Sequence, residues 1–135
     1  MKELYLEVTT PSKTAYSGNI QSVTVPGTLG SFQVLYNHAP IISSLETGMV
    51  KIVGEDGSTK YFAMGGGTVE VLNNKVSVLA ESFESPAEID IERAKRAKER
   101  AKERLKTKDI DFDRAQAALI RSMNRIDISG KYSRI

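Results

Sequence analysis

"KVSVLAESFESPAEIDIERAKRAKER" (Lys75–Arg100) carries two different periods within one stretch. In "KVSVLA" (Lys75–Ala80), Val76 and Val78 alternate with Lys75 and Ser77. That period of two puts successive side chains on opposite faces of a strand. Past "ESP" (Glu84–Pro86), Ala94, Ala97, Ala101 and Leu105 recur at three and four residues, the spacing of one helix face. Charge changes at the same place. Residues 1–83 hold five Lys/Arg against seven Asp/Glu, and residues 84–135 hold fourteen against ten, so a −2 half precedes a +4 half. Period and charge together predict two domains, an all-β sandwich or barrel over 1–83 and a helical hairpin over 84–135.

Toward the N-terminus the alternation continues. Leu4, Leu6 and Val8 share one face of "LYLEVTT". Similar short runs follow at Gln21–Val25, Ser31–Tyr36, Ile41–Leu45, Met49–Val53, Thr59–Met64 and Thr68–Leu72. Turn residues separate them. "EDGS" (Glu55–Ser58) and "NN" (Asn73–Asn74) tolerate the positive φ of tight hairpins. "VPGTLG" (Val25–Gly30) and "GGG" (Gly65–Gly67) read as turns between strands, and neither has the Gly-Lys-Ser/Thr of a phosphate loop. Many short strands at regular spacing predict a sandwich or barrel.

Toward the C-terminus a second stripe appears at Phe112, Ala115, Leu119, Ser122 and Ile126. "KTKD" (Lys106–Asp109) is long enough only for a turn, so the two helices form an antiparallel hairpin. The fold class expected is α+β, an N-terminal antiparallel β-sandwich followed by a C-terminal antiparallel two-helix hairpin. Alanine buries little area, at about 0.8 kcal/mol per CH2, so the hairpin is marginal by itself and able to detach. A chain stopped near Ser82 is expected to fold alone, with Glu81–Pro86 as the joint.

The absence of cysteine in the 135 residues excludes a disulfide scaffold, a thiol nucleophile and a thiolate metal site. No run of 18 apolar residues is present, and "MKELYLEVTT" lacks the apolar core of a signal peptide, so a cytoplasmic or plastid-encoded chain is expected. His38 is the single histidine and has no carboxylates near it in sequence. It supports neither a metal site nor a nucleophile–base pair, and no catalytic constellation is expected.

"IDIERA" (Ile89–Ala94) is echoed by "IDFDRA" (Ile110–Ala115). Asp90 and Asp111 each precede an apolar-periodic run, where a carboxylate accepts from the free N–H groups of a first helical turn. Ser85-Pro86-Ala87-Glu88 has the spacing of a capping box. Arg93, Arg96, Arg100 and Arg104 line one side of the first helix, and Arg121 and Arg125, with Arg114 nearby, one side of the second. Each set lies roughly 120° from its apolar stripe. Two readings stand: a solvated, ion-paired face with Glu99 and Glu103, or an anion clamp converging from two helices.

"VPGTLGSFQVLYNHAPIISSLETGMVKI" (Val25–Ile52) and "GGGTVEVLNNKVSVLAE" (Gly65–Glu81) closely resemble the epsilon-subunit family of bacterial and chloroplast rotary ATP synthases. The resemblance spans essentially the whole chain. It implies a non-catalytic subunit of the central stalk, at the foot of the gamma subunit and against the c subunits of the membrane rotor ring. Such a subunit couples proton passage to ATP synthesis. The resemblance also implies a hairpin that restrains ATP hydrolysis, permissive when folded and reaching the catalytic alpha and beta subunits when extended. It places the chain peripherally on the cytoplasmic face of the bacterial inner membrane, with no membrane insertion, no nucleic acid and no required cofactor. ATP is a regulatory ligand of some members through an Ile/Leu-Asp-x-x-Arg-Ala motif, here Ile89, Asp90, Arg93 and Ala94. Further contacts would fall on Glu84, Arg100, Arg121 and Arg125. The subunit-interface loop would include Gly27, Leu29, His38 and Pro40, and Leu29 departs from the acidic residue that many relatives carry there.

Two other classes compete. One is a basic helical nucleic-acid-binding module on a β-sandwich carrier. The +4 half permits it, but no aromatic residues interleave with the helix bases for stacking. The other is a small nucleotide-binding enzyme, which would turn over ATP in isolation.

Overall fold

The computed structural model describes residues 2–105 and 112–132. The elements are β1 (Leu4–Thr9), β2 (Thr14–Gly27), β3 (Gly30–Val34), β4 (Ile41–Leu45), β5 (Gly48–Gly54), β6 (Thr59–Leu72) and β7 (Lys75–Glu84). A single 3-10 turn at Pro86–Glu88 leads to α1 (Ile91–Leu105) and α2 (Phe112–Tyr132). Chain contacts divide the molecule between Glu84 and Ser85 into two compact units.

In the first unit the strand pairings close on themselves. β1 pairs β2 antiparallel and β7 parallel, β2 pairs β5, β5 pairs β6, and β6 pairs β7. β3 adds to β2, and β4 lies between β6 and the end of β2 at Gly27. Alternation places one side chain in two inside. Leu4, Leu6 and Val8 of β1 meet Val23 and Val25 of β2, Ile52 of β5, Met64, Val69 and Val71 of β6, and Val76 and Val78 of β7 in one core. β-branched residues dominate it, as expected where pleated surfaces interdigitate. At one end Phe83 stacks on Phe62 with ring centroids 4.6 Å apart, and Tyr16 meets Phe62 edge-on.

The short turns follow the residues. Asn73 and Asn74, both with φ in the left-handed region at 50° and 61°, join β6 to β7. Between β5 and β6, Asp56 Oδ1 accepts from Ser58 N–H and Ser58 Oγ at 3.0 and 2.7 Å. These bonds hold the Asp56 carboxyl below the ordinary carboxylate value. The stabilisation they give is present above the ordinary value and is lost as pH falls through the depressed one.

Three expectations change. Gly65–Gly67 is not a turn. β6 runs unbroken from Thr59 to Leu72, and the glycines lie where backbones crowd. A Cβ on Gly65 would sit 2.7 Å from Ser82 Oγ, one on Gly66 3.2 Å from Leu45 O, and one on Gly67 would collide with Leu79 O. Second, β2 starts at Thr14, because "TAYSGNI" pairs with β1 despite its polar composition. Third, β7 continues past Ala80 to Glu84, which puts Phe83 in the core.

In the second unit α1 packs against α2, and the 3-10 turn before α1 also touches α2. The seam is built of small residues. Ala94 and Ala101 of α1 are buried, as are Ala115, Ser122 and Ser129 of α2, together with Ile128. Ala97, Leu105, Leu119 and Ile126 are half-buried. The expected turn at Lys106–Asp109, and Asp111, lie outside the described residues.

Two outcomes follow for stability. Gly67→Ala should lower denaturant stability by about 1–3 kcal/mol, since the neighbour is backbone and cannot rotate away. A chain ending at Glu84 should melt cooperatively, whereas one ending at Ser82 loses Phe83 and should lose about 3–5 kcal/mol. Urea melts of the fragments check both.

Candidate functional site

The approach to α1 is built by local hydrogen bonds. After β7, Ser85 N–H and Ser85 Oγ donate to Glu88 Oε1 at 3.3 and 2.8 Å, and Glu88 N–H donates to Ser85 O at 3.0 Å. Pro86 at the first position needs no donor partner there. The capping-box spacing therefore makes a separate 3-10 turn and does not start the helix. Ile89 follows in extended conformation and is buried.

Asp90 starts α1. Its Oδ1 accepts from Arg93 N–H at 3.0 Å, and its carbonyl accepts from Ala94 N–H at 2.9 Å. A carboxylate at this place satisfies a first-turn donor and lies at the positive end of the helix dipole. Asp90 is thus a helix cap in this structure. Ala94 is a seam residue, buried with Ala101.

The arginines fall into two environments. Arg93, Arg96, Arg100 and Arg104 on α1 are exposed, as is Arg114 on α2, whereas Arg121 and Arg125 on α2 are half-buried. Arg93 and Arg100 are about 10 Å apart along their helix axis, and Arg121 and Arg125 about 6 Å. Arg96 and Arg100 line a shallow open depression of about 450 Å³ with Glu92, Lys95 and Glu99. Two exposed ion pairs, Glu99–Lys102 at 4.0 Å and Asp127–Lys131 at 3.3 Å, use lysines, and such pairs contribute little. Ile89, Asp90, Arg93, Ala94, Arg100, Arg121 and Arg125 therefore share one unit, while Glu84 is the last residue of β7 in the other.

The sandwich candidates occupy two loops. Gly27 and Leu29 flank the β2–β3 turn, which Thr28 ties to Ser44 through Thr28 N–H to Ser44 O at 3.3 Å and through their hydroxyls at 3.1 Å. Leu29 is fully exposed at the tip. His38 and Pro40 belong to the β3–β4 connection, beyond the other end of β3. Five residues of strand, roughly 15 Å, separate the two loops. His38 Nδ1 lies 2.6 Å from Ala39 O. A carbonyl only accepts, so Nδ1 carries a proton in this contact. Sequence reasoning missed the side-chain bridge between Asn37 and Asn74, whose partners are 37 residues apart.

A β-sandwich followed by a capped, arginine-bearing helical hairpin is the class these features define. Sequence profiles agree. The beta-sandwich domain of the ATP synthase delta/epsilon chain matches residues 3–86, and its long alpha-helix domain matches residues 87–130. An ATP synthase epsilon chain of Halalkalibacterium halodurans is 41% identical over 97% of this chain and 100% of its own length. One of Nitratidesulfovibrio vulgaris is 43% identical over 96% of this chain and 97% of its own. The chain belongs to the ATP synthase delta/epsilon family, as a non-catalytic subunit of the epsilon type. The fold recurs in solved mitochondrial ATP synthases. For Euglena gracilis the TM-score is 0.71 at 19% identity, covering 99% of this chain and 81% of that one. For Tetrahymena thermophila it is 0.61 at 18% identity, covering 97% and 96%. The nucleic-acid alternative finds no support in these relatives.

The cap makes a direct prediction. Asp90→Ala should lower the stability of the helical unit by about 1 kcal/mol, while Asp90→Asn should stay within a few tenths. Thermal melts followed by helical circular dichroism distinguish the two.

Proposed function

We propose that this epsilon-type subunit works in the central stalk of a proton-translocating ATP synthase. Its sandwich would meet the gamma subunit and the c subunits of the rotor ring, and so help couple ring rotation to ATP synthesis. Its helical hairpin would restrain ATP hydrolysis by exchanging between a packed form and an extended form that reaches the catalytic alpha and beta subunits. Among the described residues no helix is long and apolar enough to cross a membrane. A peripheral position on the cytoplasmic face of a bacterial inner membrane accords with that.

The observation that carries the regulatory reading is the seam. Beside the buried Ile128 and the half-buried Leu105, Leu119 and Ile126, the seam consists of Ala94, Ala101, Ala115, Ser122 and Ser129, which bury few methylene groups. Parting such a seam costs little compared with opening the valine-rich sandwich. Each unit also has internal contacts of its own.

ATP is proposed as a regulatory ligand of the packed hairpin, with no other cofactor required. Arg93, Arg100, Arg121 and Arg125 would supply charge-assisted donors to phosphates, and Asp90 would order the first turn beneath them. Ile89 and Ala94, both buried, would support the site, and Glu84 is proposed as a further contact. Ligand that binds only the packed form stabilises it by mass action.

Two measurements test these roles. ATP synthase reassembled with a chain ending at Glu84 should hydrolyse ATP faster than with the full chain, while proton pumping is retained. Equal rates remove the inhibitory role. Titrating the full chain with ATP should raise its melting temperature. Arg93→Ala or Arg125→Ala should weaken binding by about 1.5–3 kcal/mol each. Asp90→Asn should reduce the ATP-induced shift, and Asp111→Asn should leave it unchanged. Identical shifts in all variants would return the arginines to a solvated face.

A further inference from the structure

The Leu35–Pro40 connection between β3 and β4 has no strand ladder to hold it, yet hydrogen bonds fix it closely. His38 N–H donates to Leu35 O at 3.1 Å. Asn37 N–H donates to Asn74 Oδ1 at 2.6 Å, and Asn74 Nδ2 donates to Asn37 Oδ1 at 3.2 Å. The two asparagines thus answer each other across 37 residues of sequence. Asn74 also anchors the start of β1, since its carbonyl accepts from Tyr5 N–H at 2.9 Å.

The β6–β7 turn does not require this side chain. Both of its residues adopt left-handed φ, which glycine fills at least as well. The Asn74 carboxamide is therefore surplus to the turn and spent wholly on the neighbouring loop. Asn37 holds a left-handed φ of 63° itself, a conformation that a non-glycine residue keeps best when its neighbours fix it. The loop so held presents exposed Leu35 and Tyr36 and half-exposed His38, and Leu72 is exposed beside the turn. Apolar side chains on a fixed loop suit a protein surface more than solvent.

We infer that Asn74 is a positioning residue, whose carboxamide sets the Leu35–Pro40 loop through Asn37 for docking on the gamma subunit. This rests on the reading of the sandwich as gamma-facing. A loop already held in its bound shape loses less entropy on docking, so the side chain acts on affinity without touching the partner.

The experiment uses the full chain and purified gamma subunit, with affinity from calorimetry and amide exchange of Asn37 and His38 from NMR. Asn74→Gly keeps the turn and removes the carboxamide. It should leave the melting temperature near the parent's, speed exchange at both amides and weaken gamma binding roughly tenfold, the scale of one to two net hydrogen bonds. Asn74→Asp keeps the acceptor for Asn37 N–H and should recover most of the affinity. Asn37→Gly combined with Asn74→Gly should be no weaker than Asn74→Gly alone, because the two act as one unit. Parental gamma affinity in Asn74→Gly overturns the inference. If the parent itself does not bind gamma, the gamma-facing reading fails, and unchanged exchange at Asn37 and His38 would then overturn the positioning of the loop as well.

Discussion

The close passage of β6 beneath its neighbours at Gly65–Gly67 is the constraint on which the sandwich depends. β6 is shared by three partners, pairing β5 through its first half and β4 and β7 through its second. Its centre crosses a place where the Leu79 backbone leaves no room for a side chain at Gly67, and where Ser82 Oγ and Leu45 O crowd Gly65 and Gly66. Three consecutive glycines meet that demand. Their conformational entropy is lost on folding, which weakens an isolated strand. The closed circuit of pairings returns the cost collectively, because it leaves few strand edges unpaired.

The two units are held by different physics. The sandwich joins residues distant in sequence, such as Leu6 with Val76 and Met64 with Phe83, around a core of branched aliphatics. Its order is cooperative and slow to lose, since many long-range contacts must go together. The helical pair is local, capped by Asp90 and seamed with alanine and serine. A pair of helices seamed mainly by small residues draws less stability from packing than the sandwich does.

Much of this was legible in the sequence, where local chemistry decides local structure. The alternation of Leu4, Leu6 and Val8 gave the buried face of β1, Asn73–Asn74 and Asp56–Gly57 gave turns, and Ala94, Ala101, Ala115 and Ser122 gave the seam. Asp90 was legible as a cap because capping is a matter of three residues. What escaped needed the third dimension. Triple glycine is punctuation in a local reading and becomes a crossing only when Leu79 lies against it. "TAYSGNI" looks like a loop until β1 supplies its partner. The candidate site was legible in its residue types but not in its environments. Nothing in the arginine spacing says that Arg93 and Arg100 are exposed while Arg121 and Arg125 are half-buried, or that the Leu29 and His38 loops stand at opposite ends of β3.

Ser122 gives the hairpin a property that alanine alone would not make visible. Its hydroxyl, buried in the seam, donates to Ala118 O at 2.7 Å, one turn back on its own helix. The polar atom is answered from within and asks nothing of the facing helix. A bond reaching across would commit α2 to one neighbour in one register, and its loss would leave a buried group unpaired. Self-contained in this way, the Ser122 position is chemically neutral toward whatever covers it. A change of neighbour at this one position would need no exchange of hydrogen-bond partner.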